Sequence, residues 1–198
     1  VLDATQAYFK PLTEEQLKGL PQSSIDLLKQ YGQQRELEQA VATLDIPSYL
    51  AIMTYADDRA LREELYKAYT TRASDQSEHT EFDNTKIIEE ILSLRHEMAQ
   101  LLGFKNYAEL SLASKMAPDV ETVDKFLVDL AEHARAPATQ EIAELKAIAS
   151  QDGIQDLQPW DTGYYSEKLK VQQFNLSQES LKPYFPAPKI LQGLFSIV

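Results

Sequence analysis

His96-Glu97-Met98-Ala99-Gln100 is one residue short of H-E-x-x-H, the helical pattern in which two imidazoles hold zinc and the glutamate serves as a base. Ligands four residues apart share a helix face, so the pattern needs a ligand at both positions. Gln100 supplies a neutral amide where the second imidazole should stand, so no metal site is expected here. The other histidines, His79 and His133, have no second histidine at ligand spacing, and the expected metal ligands of this chain are none. His79 falls in a polar loop as a solvated side chain. His96 is expected to be packed or hydrogen-bonded on the long helix that carries it.

Nucleophile chemistry finds equally little footing. There is no cysteine, which excludes disulfides, thiolate ligands and thiol catalysis within the chain. No G-x-S-x-G occurs, and only 6 glycines leave little material for a nucleophile elbow or a phosphate-cradling loop. Ser111-Leu112-Ala113-Ser114-Lys115 resembles S-x-x-K, but counted from Ser111 its lysine comes one residue late. Glu63-Glu64 and Glu89-Glu90 are adjacent and so diverge around a helix, as solvated faces do. The expected catalytic residues are therefore none. Aromatic side chains with polar tips form the more informative group: Tyr55, Tyr66, Tyr69, Tyr107, Trp160, Tyr164 and Tyr165 suit peptide-binding surfaces, although core packing is the commoner role.

Composition narrows the field. The chain has 198 residues, 43% hydrophobic and 25% charged, enough for one sizeable domain or two small ones. A net charge of −12 disfavours nucleic acid and anionic membrane as partners and admits an acidic groove for basic peptides. No apolar run approaches the ~18 residues of a membrane span. The first residues carry neither a basic start nor an apolar signal core, so a cytoplasmic protein is expected.

The elements that would position these groups are mostly helices. Thr13-Glu14-Glu15-Gln16 fits a capping box, and Pro21 with Ser23 and Ser24 marks the next start. Gln39 to Leu44 is short and partly β-branched, so one or at most two short strands are expected near 38–45. Pro47 opens a helix, and Asp57-Asp58 begins another with Leu61 and Leu65 on its apolar stripe. Residues 75–83 read as an exposed loop. A long helix from Asn84 to Leu102 has apolar residues so widely spread that burial on more than one side is expected; Gly103 suits its left-handed end. Asn106 and Asp119 begin the next two helices, Pro137 should kink or break the second, and Asp161 is expected to cap a helix opened by Pro159-Trp160. A final apolar helix runs from about Lys189 to Val198 without a C-cap, and its natural continuation is more protein. A mainly α chain is expected, a single helical piece with a subdivision near 74–83 or 151–160.

Several segments resemble one family in order. Leu44-Asp45-Ile46-Pro47-Ser48-Tyr49-Leu50, Arg62-Glu63-Glu64-Leu65-Tyr66-Lys67-Ala68-Tyr69 with Arg72-Ala73-Ser74, Leu94 to Ala108, Lys115-Met116-Ala117, Pro159-Trp160-Asp161 with Tyr164-Tyr165, and Pro183-Tyr184-Phe185-Pro186 are similar to the N-terminal half of the thimet-oligopeptidase family of zinc peptidases. The resemblance implies a helical, two-lobed, channel-type enzyme acting on short peptides. Its zinc, held by H-E-x-x-H and a later glutamate, would belong to a catalytic lobe beyond this chain, so the resemblance implies no cofactor in the chain itself. His96-Glu97 then falls in the helical scaffold. The implied role of these residues is scaffold and channel wall, inactive alone, with short peptides and the missing C-terminal lobe as partners. Tyr164, Tyr165 and Lys168, projecting from one short helix with aromatic and cationic tips, are the expected peptide-facing residues. The alternative is a free-standing, non-catalytic helical module that binds peptides or a partner protein.

Overall fold

The computed structural model describes residues 1–197; the place expected for Val198 in the last helix lies outside the described residues. In chain order the elements are α1 (Leu2–Ala7), β1 (Phe9–Pro11), α2 (Gln22–Gln33), β2 (Val41–Thr43), α3 (Ile46–Tyr55), α4 (Arg59–Thr71), α5 (Thr85–Leu101), α6 (Tyr107–Leu112), α7 (Val120–Gln151), α8 (Pro159–Phe174), α9 (Gln178–Leu181) and α10 (Ala187–Ile197). Short 3₁₀ turns occupy Glu15–Leu17, Thr80–Phe82 and Lys182–Tyr184. The chain is mainly α, as its apolar periodicity predicts. Among the described residues no helix is long and apolar enough to cross a membrane.

Two compact units result. One comprises Leu2–Thr70 with the residues from Leu145 onward; the other comprises Thr71–Glu144 with Val1.

The first unit contains the small sheet. β2 is wholly buried and pairs antiparallel with β1, in the register Phe9↔Thr43, Lys10↔Ala42 and Pro11↔Val41. β2 lies where the sequence pattern puts a strand. Its partner lies some thirty residues earlier and was not expected, because Phe9-Lys10-Pro11 is too short to show a period-2 pattern. Pro11 stands at the outer end of the ladder, where a missing N–H costs least. Thr43 N–H donates to Ser48 Oγ at 2.9 Å, tying β2 to the first turn of α3. Around this seam Leu12, Leu17, Leu20, Leu28, Ile52, Leu61 and Leu65 form the core. α4 begins as its aspartates predict: Asp58 Oδ1 accepts from the N–H groups of Ala60 and Leu61 at 2.9 and 3.1 Å. A second cluster joins Leu145 and Ala149 at the end of α7 to Tyr164 and Tyr165 of α8. α3 packs along α8 as well.

In the other unit, Asn106 caps α6 by accepting from Glu109 N–H at 3.0 Å. α5 ends as expected: Gly103 has φ +82°, Phe104 N–H donates to Ala99 O at 2.9 Å and Gly103 N–H to Gln100 O at 3.0 Å. Two expectations are corrected here. α7 runs unbroken through Pro137, because proline's fixed φ is itself helical and the surrounding residues are exposed, leaving the freed carbonyl to water. The broad apolar surface of α5 is not buried on several sides: Ala99 alone is buried, while Ile88, Leu92 and Leu101 are exposed at 54, 60 and 80%. Spacing reports which residues prefer cover, not whether 198 residues supply it.

The last helix begins at Ala187, two residues before the expected start, since Pro186 and Pro188 are compatible with a first turn.

Candidate functional site

α8 carries the densest polar chemistry of the first unit. Pro159 supplies its first turn, with its missing N–H at a position that has no helical partner. Asp161 was expected as the cap, but the cap is Gln158, and Asp161 stands three residues in, accepting Gln158 N–H at 3.0 Å. The reason it occupies this position lies on α4. Arg59 Nε and Nη2 donate to Asp161 Oδ1 and Oδ2 at 3.0 and 2.8 Å, and Arg62 Nη2 donates to Oδ1 at 3.0 Å. Asp161 is fully buried and Arg62 almost so. Burial alone would raise the Asp161 pKa; bonds from Arg59, the Gln158 N–H and Arg62 outweigh it and hold the carboxyl below its ordinary value. Arg62 Nη1 also donates to Ala56 O at 2.6 Å, and its guanidinium lies 4.1 Å from the Tyr164 ring centroid.

The three residues expected to face peptide are brought together here. Tyr164 and Tyr165 meet edge to face at 5.2 Å, and both rings are buried. The Tyr164 hydroxyl donates to Asp57 Oδ1 at 2.7 Å. Burial first, then that bond, raises its pKa, so it remains a donor at neutral pH. Tyr165 is likewise raised, by burial and then by Asp152. Lys168 Nζ lies 4.6 and 5.6 Å from the two ring centroids and donates to Asp152 Oδ2 at 2.7 Å. Burial works to lower the Lys168 pKa, but the Asp152 and Tyr164 bonds leave it raised and the ammonium charged.

Tyr164 and Lys168 line a recess of about 460 Å³ in the same unit, with Pro21, Tyr55, Asp57 and Val171 among its other walls; Tyr165 packs behind Tyr164 and does not line it. Gly19 makes the recess rim sterically feasible. Its φ is +83°, and a Cβ there would stand 2.4 Å from Tyr55 O and 2.6 Å from Asp57 Oδ1. Asp57, Arg59 and Arg62 were not singled out by their spacing as site residues. The available signal was Arg59 and Arg62 three apart on one helix face, a pair of cations that calls for a carboxylate without saying which.

The metal-like stretch lies on α5. His96 is exposed on α5 rather than packed as expected, because the face that carries it is uncovered, and the Gln100 amide donates to Lys105 O at 2.7 Å, tying down the turn after the helix. His133 Nδ1 sits 2.7 Å from Asp129 O on its own helix, and His79 lies 3.4 Å from Glu81. Among the described residues no three histidine, aspartate or glutamate side chains gather to hold a metal ion. Lys115 Nζ does reach Ser111 Oγ at 2.7 Å, but the pair is exposed to solvent.

In sequence the chain is similar to known peptidases. Residues 52–198 match Peptidase family M3. Over its whole length the chain is 52% identical to oligopeptidase A of Escherichia coli, covering 30% of that protein. It is 42% identical to the probable cytosolic oligopeptidase A of Arabidopsis thaliana, with 29% of that protein covered. Identity to the dipeptidyl carboxypeptidase of Escherichia coli is 32% over 91% of the chain and 26% of that protein. The chain thus spans less than a third of the length of the curated relatives it matches. With three quarters of its residues inside the family match, this chain belongs to Peptidase family M3.

Proposed function

We propose that these residues form a scaffold and channel-wall segment of a zinc oligopeptidase that hydrolyses short peptides, and that the segment is inactive alone. The observation that carries the reading is the full-length alignment with oligopeptidase A over only 30% of that protein, joined to an H-E-x-x-H pattern that lacks its second ligand. Zinc in the complete enzyme would polarise the scissile carbonyl and activate water. The residues present do not fit it: His96 has no partner imidazole, and Gln100 is spent on the Lys105 carbonyl. What this chain contributes is position. The Arg59–Asp161–Arg62 cluster fixes α8 against α4, and α8 in turn presents Tyr164 and Lys168 to a recess. Of the three expected residues, Tyr164 and Lys168 are proposed to serve the peptide-facing wall and Tyr165 to back it from behind Tyr164, with the catalytic lobe as the partner of the uncovered apolar helices. A cytoplasmic location is part of the proposal and is supported by the name of one Arabidopsis relative.

The test compares the 198-residue chain with a longer protein that contains it, by zinc equilibrium dialysis and cleavage of a quenched fluorescent peptide. The chain alone should neither retain zinc nor cut; the longer protein should do both and lose activity to a chelator. Cleavage by the chain alone would overturn the reading. An inert longer protein would overturn it too and favour the non-catalytic binding module.

A further inference from the structure

The recess beside α8 has an uneven distribution of charge. Three carboxylates line it: Asp57, Glu167 and Glu179. Glu167 is ion-paired with Lys170, and Glu179 is ion-paired with Lys182 and accepts a hydrogen bond from the Ser23 hydroxyl. Lys168, on the same wall, is ion-paired with Asp152 outside the lining and also bonds the Tyr164 hydroxyl. Asp57 differs. One of its oxygens accepts the Tyr164 hydroxyl, and no cation among the described residues pairs with the carboxylate. It is exposed at the rim, kept clear by the missing side chain of Gly19.

The rest of the lining completes a ligand shape. Pro21, Tyr55 and Val171 offer apolar walls, and the volume of about 460 Å³ falls within the range of small-ligand pockets. Burial pushes the Tyr55 hydroxyl pKa up to about 12, so it adds no charge at neutral pH. A rigid carboxylate at the mouth of an apolar recess suits a side chain with an aliphatic stem and a cationic head. The −12 charge of the chain favours arrival of such a group.

We propose that this recess binds the lysine or arginine side chain of a peptide, with Asp57 as counter-ion to the head and Pro21, Tyr55 and Val171 against the stem. The proposal rests on the reading that the chain handles peptides and adds a preference for a basic residue to it.

The experiment titrates the ¹⁵N-labelled 198-residue chain with three short peptides. One carries a lysine between blocked termini, the second replaces that lysine by norleucine, and the third is the norleucine peptide with a free amino terminus. The lysine peptide should shift the amides of Tyr55, Asp57 and Val171 and bind roughly tenfold or more tightly than its blocked norleucine counterpart, the effect of one charge-assisted contact. Asp57→Asn keeps an oxygen to accept from Tyr164 and removes only the charge, and should erase that preference. Glu90→Gln, exposed on α5 in the other unit, should leave it intact. Equal binding of the two blocked peptides overturns the proposal without any variant. An equal loss in Glu90→Gln also overturns it, since the attraction would then be general, and so does binding of the free-amine peptide alone. Zinc-dependent cleavage by the longer protein does not enter this readout, so the recess and the peptidase reading fail separately.

Discussion

Asp161 accepts two guanidinium groups and a backbone N–H while fully buried. Each buried ion costs several kcal/mol to desolvate, so the cluster survives only because every partner is present. Replacing Asp161 by Asn leaves Arg62 buried without its anion and should destabilise the chain by about 3–5 kcal/mol, read as a lower urea midpoint. The pH dependence has a definite sign. The folded carboxyl titrates below its ordinary value, so between the folded pKa and the unfolded pKa of about 3.9 the unfolded chain binds the extra proton. The stabilisation is therefore complete above about pH 4 and is lost as the pH falls through the folded pKa. Acid titration of D161N should show a shallower fall than the unsubstituted chain. In a longer, active protein, Tyr164→Phe should raise KM with little change in kcat, while Tyr165→Phe, behind the wall, should change KM less. An unchanged KM in Tyr164→Phe removes Tyr164 from the peptide-facing wall.

Helix ends follow local chemistry closely. Thr13 and Gln16 exchange the reciprocal bonds of a capping box: Thr13 N–H donates to Gln16 Oε1 at 3.1 Å and Gln16 N–H to Thr13 Oγ1 at 3.4 Å. Asn106 caps α6 through a single bond, its Oδ1 accepting from Glu109 N–H, so Asn106→Ala should cost about 1 kcal/mol, visible as a lower thermal midpoint. Pro137 presents the opposite case. It sits exposed within a continuous helix, and Pro137→Ala should raise helicity and stability, by up to ~3 kcal/mol if no local bend is relied on. Circular dichroism on heating decides it; a lower midpoint would show that the proline is needed.

At the scale of the whole molecule the main feature is uncovered apolar surface. Beyond α5, the residues Phe126, Leu127 and Leu130 of α7 and Leu191, Leu194 and Phe195 of α10 are exposed. Contiguous apolar faces of this kind drive association. Sedimentation velocity of the 198-residue chain should show concentration-dependent self-association, whereas a longer protein that covers these faces should sediment as one species. A monodisperse chain would instead fit the free-standing module.

By itself the sequence determined the mainly helical class, most helix boundaries and the failed zinc pattern, because caps, glycine turns and ligand spacing act within four or five residues. Legible at that range were the Gly103 turn, the Asn106 cap and the missing imidazole at Gln100. The identity of β1, the role of Asp161 and the recess at Asp57 were decided only by tertiary structure. Phe9–Pro11 meets Val41–Thr43, Asp161 meets Arg59 and Arg62, and Tyr164 meets Asp57, partners that stand about thirty to more than a hundred residues apart in the chain. Such pairings depend on which apolar faces pack together. A carboxylate's partner, unlike a helix cap, is chosen by that packing and leaves no spacing rule in the chain.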